Sequence, residues 1–212
     1  ISLNMFDFSN DSFGIPVAVL DTLMVYTDYS VYVQDKLVQA LDGIIIANGA
    51  QEGVQVGTQL VYPLGSTQAK STHWYKELEA LKAVAVELAG ENGTLKTSTI
   101  DFNSGIKMSV IATMRDNIHY STFLQTKLEE ALFAGASVKP EVEFSLTQNQ
   151  WNNELDAMYQ VGVAWFGING SINPETIGNS LDSGFPVAVL EELSNVIYKS
   201  LYFQTQLQPK LI

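Results

Sequence analysis

One stretch of this chain occurs three times. Residues 14 to 37 read GIPVAVLDTLMVYTDYSVYVQDKL, and residues 184 to 207 read GFPVAVLEELSNVIYKSLYFQTQL; they align without a gap and agree at 11 of 24 positions. A third version, GIKMSVIATMRDNIHYSTFLQTKL, occupies residues 105 to 128. A repeated unit is usually a module that buries its apolar face against its own kind, so the repeat restricts the fold to serial packing of similar elements.

A second element recurs with the first. Residues 74 to 100, WYKELEALKAVAVELAGENGTLKTSTI, and residues 151 to 177, WNNELDAMYQVGVAWFGINGSINPETI, agree at 11 of 27 positions. Unrelated segments of average composition would share about two. The expected unit is therefore about 78 residues long. It contains a Trp-led helix, an Asn-Gly turn, a short extended piece and a Gly-led helix. We divide the chain into a truncated first repeat with a long Gly-rich connection (1–73), a second repeat (74–150) and a third (151–212), expected to form one continuous structure. The start at Ile1, without an upstream Trp segment, leads to the expectation of a mature, trimmed or excerpted chain whose missing first Trp helix a neighbouring molecule supplies.

Composition narrows the function. The net charge is −12 and Arg115 is the only arginine, so the basic footprint that nucleic acid requires is absent. The absence of cysteine removes disulfides, thiolate catalysis and cysteine–zinc sites. No apolar run approaches the length that spans a bilayer, so membrane insertion is not expected. Low charge, few basic residues and no cysteine suit an extracellular, cell-surface or virion protein.

The periodicity predicts an α+β protein, mostly α, with long packed helices and short connecting strands. Ile111, Met114, Ile118, Phe123 or Leu124, Leu128 and Leu132 fall at helical spacing. Each Gly-led segment therefore reads as one long helix, with Ser12, Ser104 and Ser183 as candidate N-caps. Glu191 and Glu192 are placed near a helix start. In the Trp segment Leu78, Leu81, Ala85 and Leu88 share a face, and Gly90 and Gly167 are natural stops. Residues 54–62, 95–102, 141–146 and 172–177 read as extended. From Leu41 to Trp74 is 33 residues and from Leu132 to Trp151 is 19, so the first connection is the place for contacts special to this protein.

Few residues suggest chemistry. Ser30, Ser121 and Ser200 recur at one position, and Gln34, Gln125 and Gln204 four residues later, on one helix face. The favoured role is a buried polar pair that satisfies backbone groups; the sharper one is a ladder that sets repeat or subunit register. Trp74 and Trp151 are expected anchors between units, with stacking on sugar rings as the alternative. Glu77 with Glu79, and Glu154 with Asp156, resemble acid–base pairs, but first-turn carboxylates that stabilise a helix start explain them better. Copies one and three carry Asp28 and Tyr198 at the position of His119, which suggests a tolerant, exposed position. Neither His73 nor His119 has a partner at metal-ligand spacing, and Asp7 and Asp11 do not follow a calcium-loop pattern.

The expectation is a non-enzymatic repeat protein for assembly or binding, with no cofactor or metal. A subunit of a surface filament, secreted appendage or virus particle fits, partnered by copies of itself or another protein. A carbohydrate-binding or carbohydrate-active protein that uses Trp and acidic residues is the first alternative. An acidic intracellular adaptor is the second.

Overall fold

The computed structural model describes residues 14–41, 54–56, 59–61, 73–96, 100–133, 147–174 and 183–207, with Ile177 and Ser180. These residues are mostly helical, with a few short antiparallel strands. The expected Ser12 cap, Asp7, Asp11, the 141–146 strand and most of the long 42–72 connection lie outside them.

The Gly-led segments correct one expectation: each is two helices, not one. β1 (Ile15–Pro16) enters α1 (Val17–Tyr26), a 3-10 turn covers Thr27–Tyr29, and α2 (Val31–Ala40) follows. The same break recurs at Ile118–Tyr120 and at Ile197–Lys199. Its cause is the serine that comes next. Ser30 is extended, at φ −137° and ψ 105°, and its Oγ accepts the Val33 N–H at 3.3 Å, which begins a new helix instead of continuing the old one. Gln34 then donates Nε2 to the Thr27 carbonyl at 3.0 Å, satisfying an acceptor that the break exposes.

After α2 come the paired strands β2 (Val54–Val56) and β3 (Gln59–Val61), then α3 (His73–Ala89) and β4 (Thr94–Leu95). The second Gly-led segment is β5 (Ile106–Lys107), α4 (Met108–Asn117) and α5 (Thr122–Phe133). The remainder is α6 (Gln148–Phe166), β6 (Ser171–Ile172), α7 (Val187–Val196) and α8 (Leu201–Leu207).

The chain forms two compact units: residues 1–100 with 120–126, and residues 101–119 with 127–212. In the first, α3 packs along α1 and β4 pairs antiparallel with β1, Leu95 opposite Ile15. In the second, α6 packs along both α4 and α7, and β6 pairs with β5, Ile172 opposite Ile106. Val17 N–H donates to the Gly93 carbonyl, and Met108 N–H to Gly170, each at about 3 Å. An Asn-Gly turn thus supplies the acceptor at each of these two helix starts. Glycine is required there: a Cβ on Gly93 would lie 2.2 Å from the Ala89 carbonyl oxygen, and one on Gly170 2.3 Å from that of Phe166. Gly90 and Gly167 end their helices with φ near +78°, as expected.

Three smaller expectations change. Lys107 and Pro186 precede α4 and α7 without a side-chain cap, while Ser104 and Ser183 donate instead to the carbonyls of Asp101 and Ser180. Glu191 and Glu192 lie beyond the first turn of α7. Ile177 belongs to a helical turn, its N–H on the Asn173 carbonyl.

Candidate functional site

The most distinctive polar geometry is a buried carboxylate at the start of a helix. Glu77 projects from α3, three residues after Trp74 and one before Leu78, and all three are buried. Its Oε1 accepts the Ser121 hydroxyl at 2.6 Å and the Phe123 N–H at 3.2 Å; its Oε2 accepts the Thr122 N–H at 2.8 Å. Ser121 Oγ in turn accepts the Leu124 N–H at 3.0 Å. The first N–H groups of α5, which have no partner within the helix, are thereby satisfied, and the positive helix end faces a carboxylate.

The second unit has the same arrangement. Glu154, three residues after Trp151, accepts the Ser200 hydroxyl and the Tyr202 N–H on Oε1, and the Leu201 N–H on Oε2 at 2.9 Å. Ser200 Oγ accepts the Phe203 N–H at 3.0 Å. Tyr202 is buried and donates its hydroxyl to the Pro174 carbonyl at 2.7 Å.

Burial sets the protonation of these groups. Loss of water pushes the Glu77 carboxyl up to about 7, against the pull of its three donors. Glu154 is raised for the same reason, again opposed by its donors. Burial, with the nearby Glu154 charge, raises the Tyr202 phenol above its ordinary value.

The expected site residues can now be placed. Ser121 and Ser200 are buried at the two corners, whereas Ser30 is half-buried and caps its helix alone. Gln34 and Gln204 both donate to the 3-10 turn before their helix, to Thr27 and Ile197. The Gln125 N–H continues the helix onto the Ser121 carbonyl. Trp74 and Trp151 are at most 1% exposed, so neither ring can stack on a sugar in this fold. His119 is half-buried and its counterpart Asp28 is buried, contrary to an exposed position, while Tyr198 is 71% exposed.

The two glutamates are core groups, not the first-turn acids that the sequence suggests. A helical wheel contains the signal for this: steps of three and four from Trp74 reach Glu77, Leu78 and Leu81, all on the buried face. Glu79 is exposed, and Asp156 pairs at the surface with Arg115 at 3.0 Å. Neither carboxylate faces its neighbour as a hydrolytic pair would.

Beside the Glu154 corner lies a cleft of about 340 Å³, lined by Gln150, Asn153, Tyr198, Lys199 and Gln204. Among the described residues no group of three His, Cys, Asp or Glu side chains could hold a metal ion, and no helix is long and apolar enough to cross a membrane. The chain matches no protein-family model, and no curated protein or solved structure is significantly similar to it.

Proposed function

We propose that this chain is an internally duplicated, non-enzymatic protein that acts in assembly or binding, as a subunit of a surface filament, secreted appendage or virus particle. The observation that carries the reading is the carboxylate corner made by Glu77 and again by Glu154. A Trp-led helix reaches a following segment by the same three donors each time. The buried serines and carboxylates are thereby occupied in holding helices together, and a unit joined in this way can be joined again. Light scattering coupled to size exclusion, over a hundredfold range of concentration and with negative-stain imaging, tests it. Growth into rods, rings or sheets is expected; a monodisperse monomer throughout would reject self-assembly.

The cleft favours carbohydrate binding as a second reading. Its amide side chains and the exposed Tyr198 ring offer the hydrogen bonds and stacking face that sugars use. Saturable glycan binding, lost in Tyr198→Ala with the fold intact, would support it.

A further inference from the structure

The pentapeptide Pro-Val-Ala-Val-Leu occurs at residues 16–20 and again at 186–190. At the start of α1, Val17 and Leu20 are 1% and 0% exposed. At the start of α7, Val187 and Leu190 are 72% and 55% exposed. The corresponding pair in α4, Met108 and Ile111, is again buried to 1% or less. Each covered helix has the Trp-led helix that follows it in sequence packed along it, α3 on α1 and α6 on α4, whereas among the described residues α7 has only α6, which precedes it. They also have a strand beside their first residues, β4 on β1 and β6 on β5. Among the described residues, Gly184–Pro186 pair with no strand. The uncovered surface continues from Phe185 to Trp165, whose ring lies 6.1 Å away, and from there to the stacked and exposed Phe166.

We infer that the Val187–Leu190 face of α7 docks a Trp-led helix from outside residues 1–212, built like α6 and followed by an Asn-Gly turn and a short strand. The inference deepens the binding reading above by naming the surface and the chemistry of the partner. The helix must come from outside residues 1–212, because the two Trp-led helices within them are engaged: α3 lies on α1 with Glu77 on Ser121, and α6 lies on α4 with Glu154 on Ser200. The partner must present a small residue to the first turn of α7. In the covered case Gly162 leaves the room that Met108 fills, since a Cβ there would lie 2.7 Å from the Met108 Sδ and Cε. Its turn carbonyl would take the Val187 N–H, as Gly93 takes that of Val17 and Gly170 that of Met108. Large exposed apolar side chains that neighbour one another mark such surfaces.

The test is titration of the full chain with a labelled peptide of residues 147–173, which carries α6, its turn and β6. Saturable one-to-one binding is expected. It should weaken about tenfold or more when the chain carries Leu190→Glu, because one buried leucine is worth that much. Leu190 is exposed, so this variant keeps its fold. A Gly162→Leu peptide, which fills the slot, should bind as poorly. No binding, or equal binding by the parent chain and Leu190→Glu, would overturn the inference. Failure here with concentration-dependent growth intact in light scattering would leave the assembly reading standing and remove only this surface.

Discussion

The helices α1 and α7 begin with the same five residues and end in opposite environments. In α1 the first valine and the leucine are inside; in α7 the middle one, Val189, is buried and the other two face solvent. The pentapeptide offers two apolar faces, and the neighbour decides which is used. Where the following Trp-led helix lies alongside, as α3 does on α1, Val17 and Leu20 are the core; the preceding helix α6, alongside α7, leaves Val187 and Leu190 exposed. An apolar residue therefore signals that a face can be buried, and the elements packed against it determine whether it is.

Four measurements break or sharpen that contrast. The largest difference is expected between Leu20→Ala and Leu190→Ala. The first should cost roughly 2–5 kcal/mol of unfolding free energy, the second no more than about 0.5. Denaturant titration of both reads the difference, and equal losses would mean that the two helices share one environment.

The corners come next. Glu154→Ala strips acceptors from the buried Ser200 hydroxyl, the buried Tyr202 N–H and the part-buried Leu201 N–H and should cost about 3 kcal/mol. Ser30→Ala removes only a cap and should cost about 1 kcal/mol. Thermal melts at fixed pH compare them. The contrast has a visible side-chain counterpart: Tyr32 is 42% exposed, whereas Phe123 and Tyr202, at the same place after Ser121 and Ser200, are at most 1% exposed.

Glu77 makes stability depend on pH. Its folded value near 7 exceeds the ordinary 4.5, so the folded state holds the proton more tightly than the unfolded chain. Its contribution is fully present below pH 4.5 and is lost as pH rises to about 7, by on the order of 3 kcal/mol in all. The amide of the Glu77→Gln variant has no proton to lose in this range. The parent should therefore lose stability relative to Glu77→Gln across that window and run parallel to it above; a constant difference from about pH 4 to 8 would contradict the assignment.

The smallest effect separates α3 from α6. Gly162 holds the place that Ala85 occupies in α3. Gly162→Ala should cost about 1 kcal/mol, because the flexible Met108 side chain can shift to admit the methyl. A gain in stability, read by the same denaturant titration, would show that the slot is loose.

Much of the helical framework is legible in the sequence, because it is local. The Leu78–Leu81–Ala85 face, the glycine stops and the Asn-Gly turns follow from periodicity and backbone stereochemistry. The break in the Gly-led segments is not: no proline or glycine marks it. Its agents, Ser30 and Gln34, act through an extended serine and a side chain folded back on the preceding turn. The glutamate corners are hidden for a different reason. Glu77 and the Ser121 that it binds are 44 residues apart, a distance that no local pattern spans. The recurring serine is visible as a position, and its partner is visible as a recurring Glu-Leu, but only the fold joins them.

The opposed burial of the two pentapeptides, and the docking that it implies, can be read directly because the chain has no cysteine. Val17→Cys and Val187→Cys each introduce a single thiol of nearly the parent volume. We expect the thiol at Val187→Cys to react at the rate of a free peptide, and that at Val17→Cys at least about a hundredfold more slowly, through opening of the fold. Adding the 147–173 peptide should slow the first and leave the second unchanged. Equal labelling rates, or a Val187→Cys rate indifferent to saturating peptide, would contradict the account.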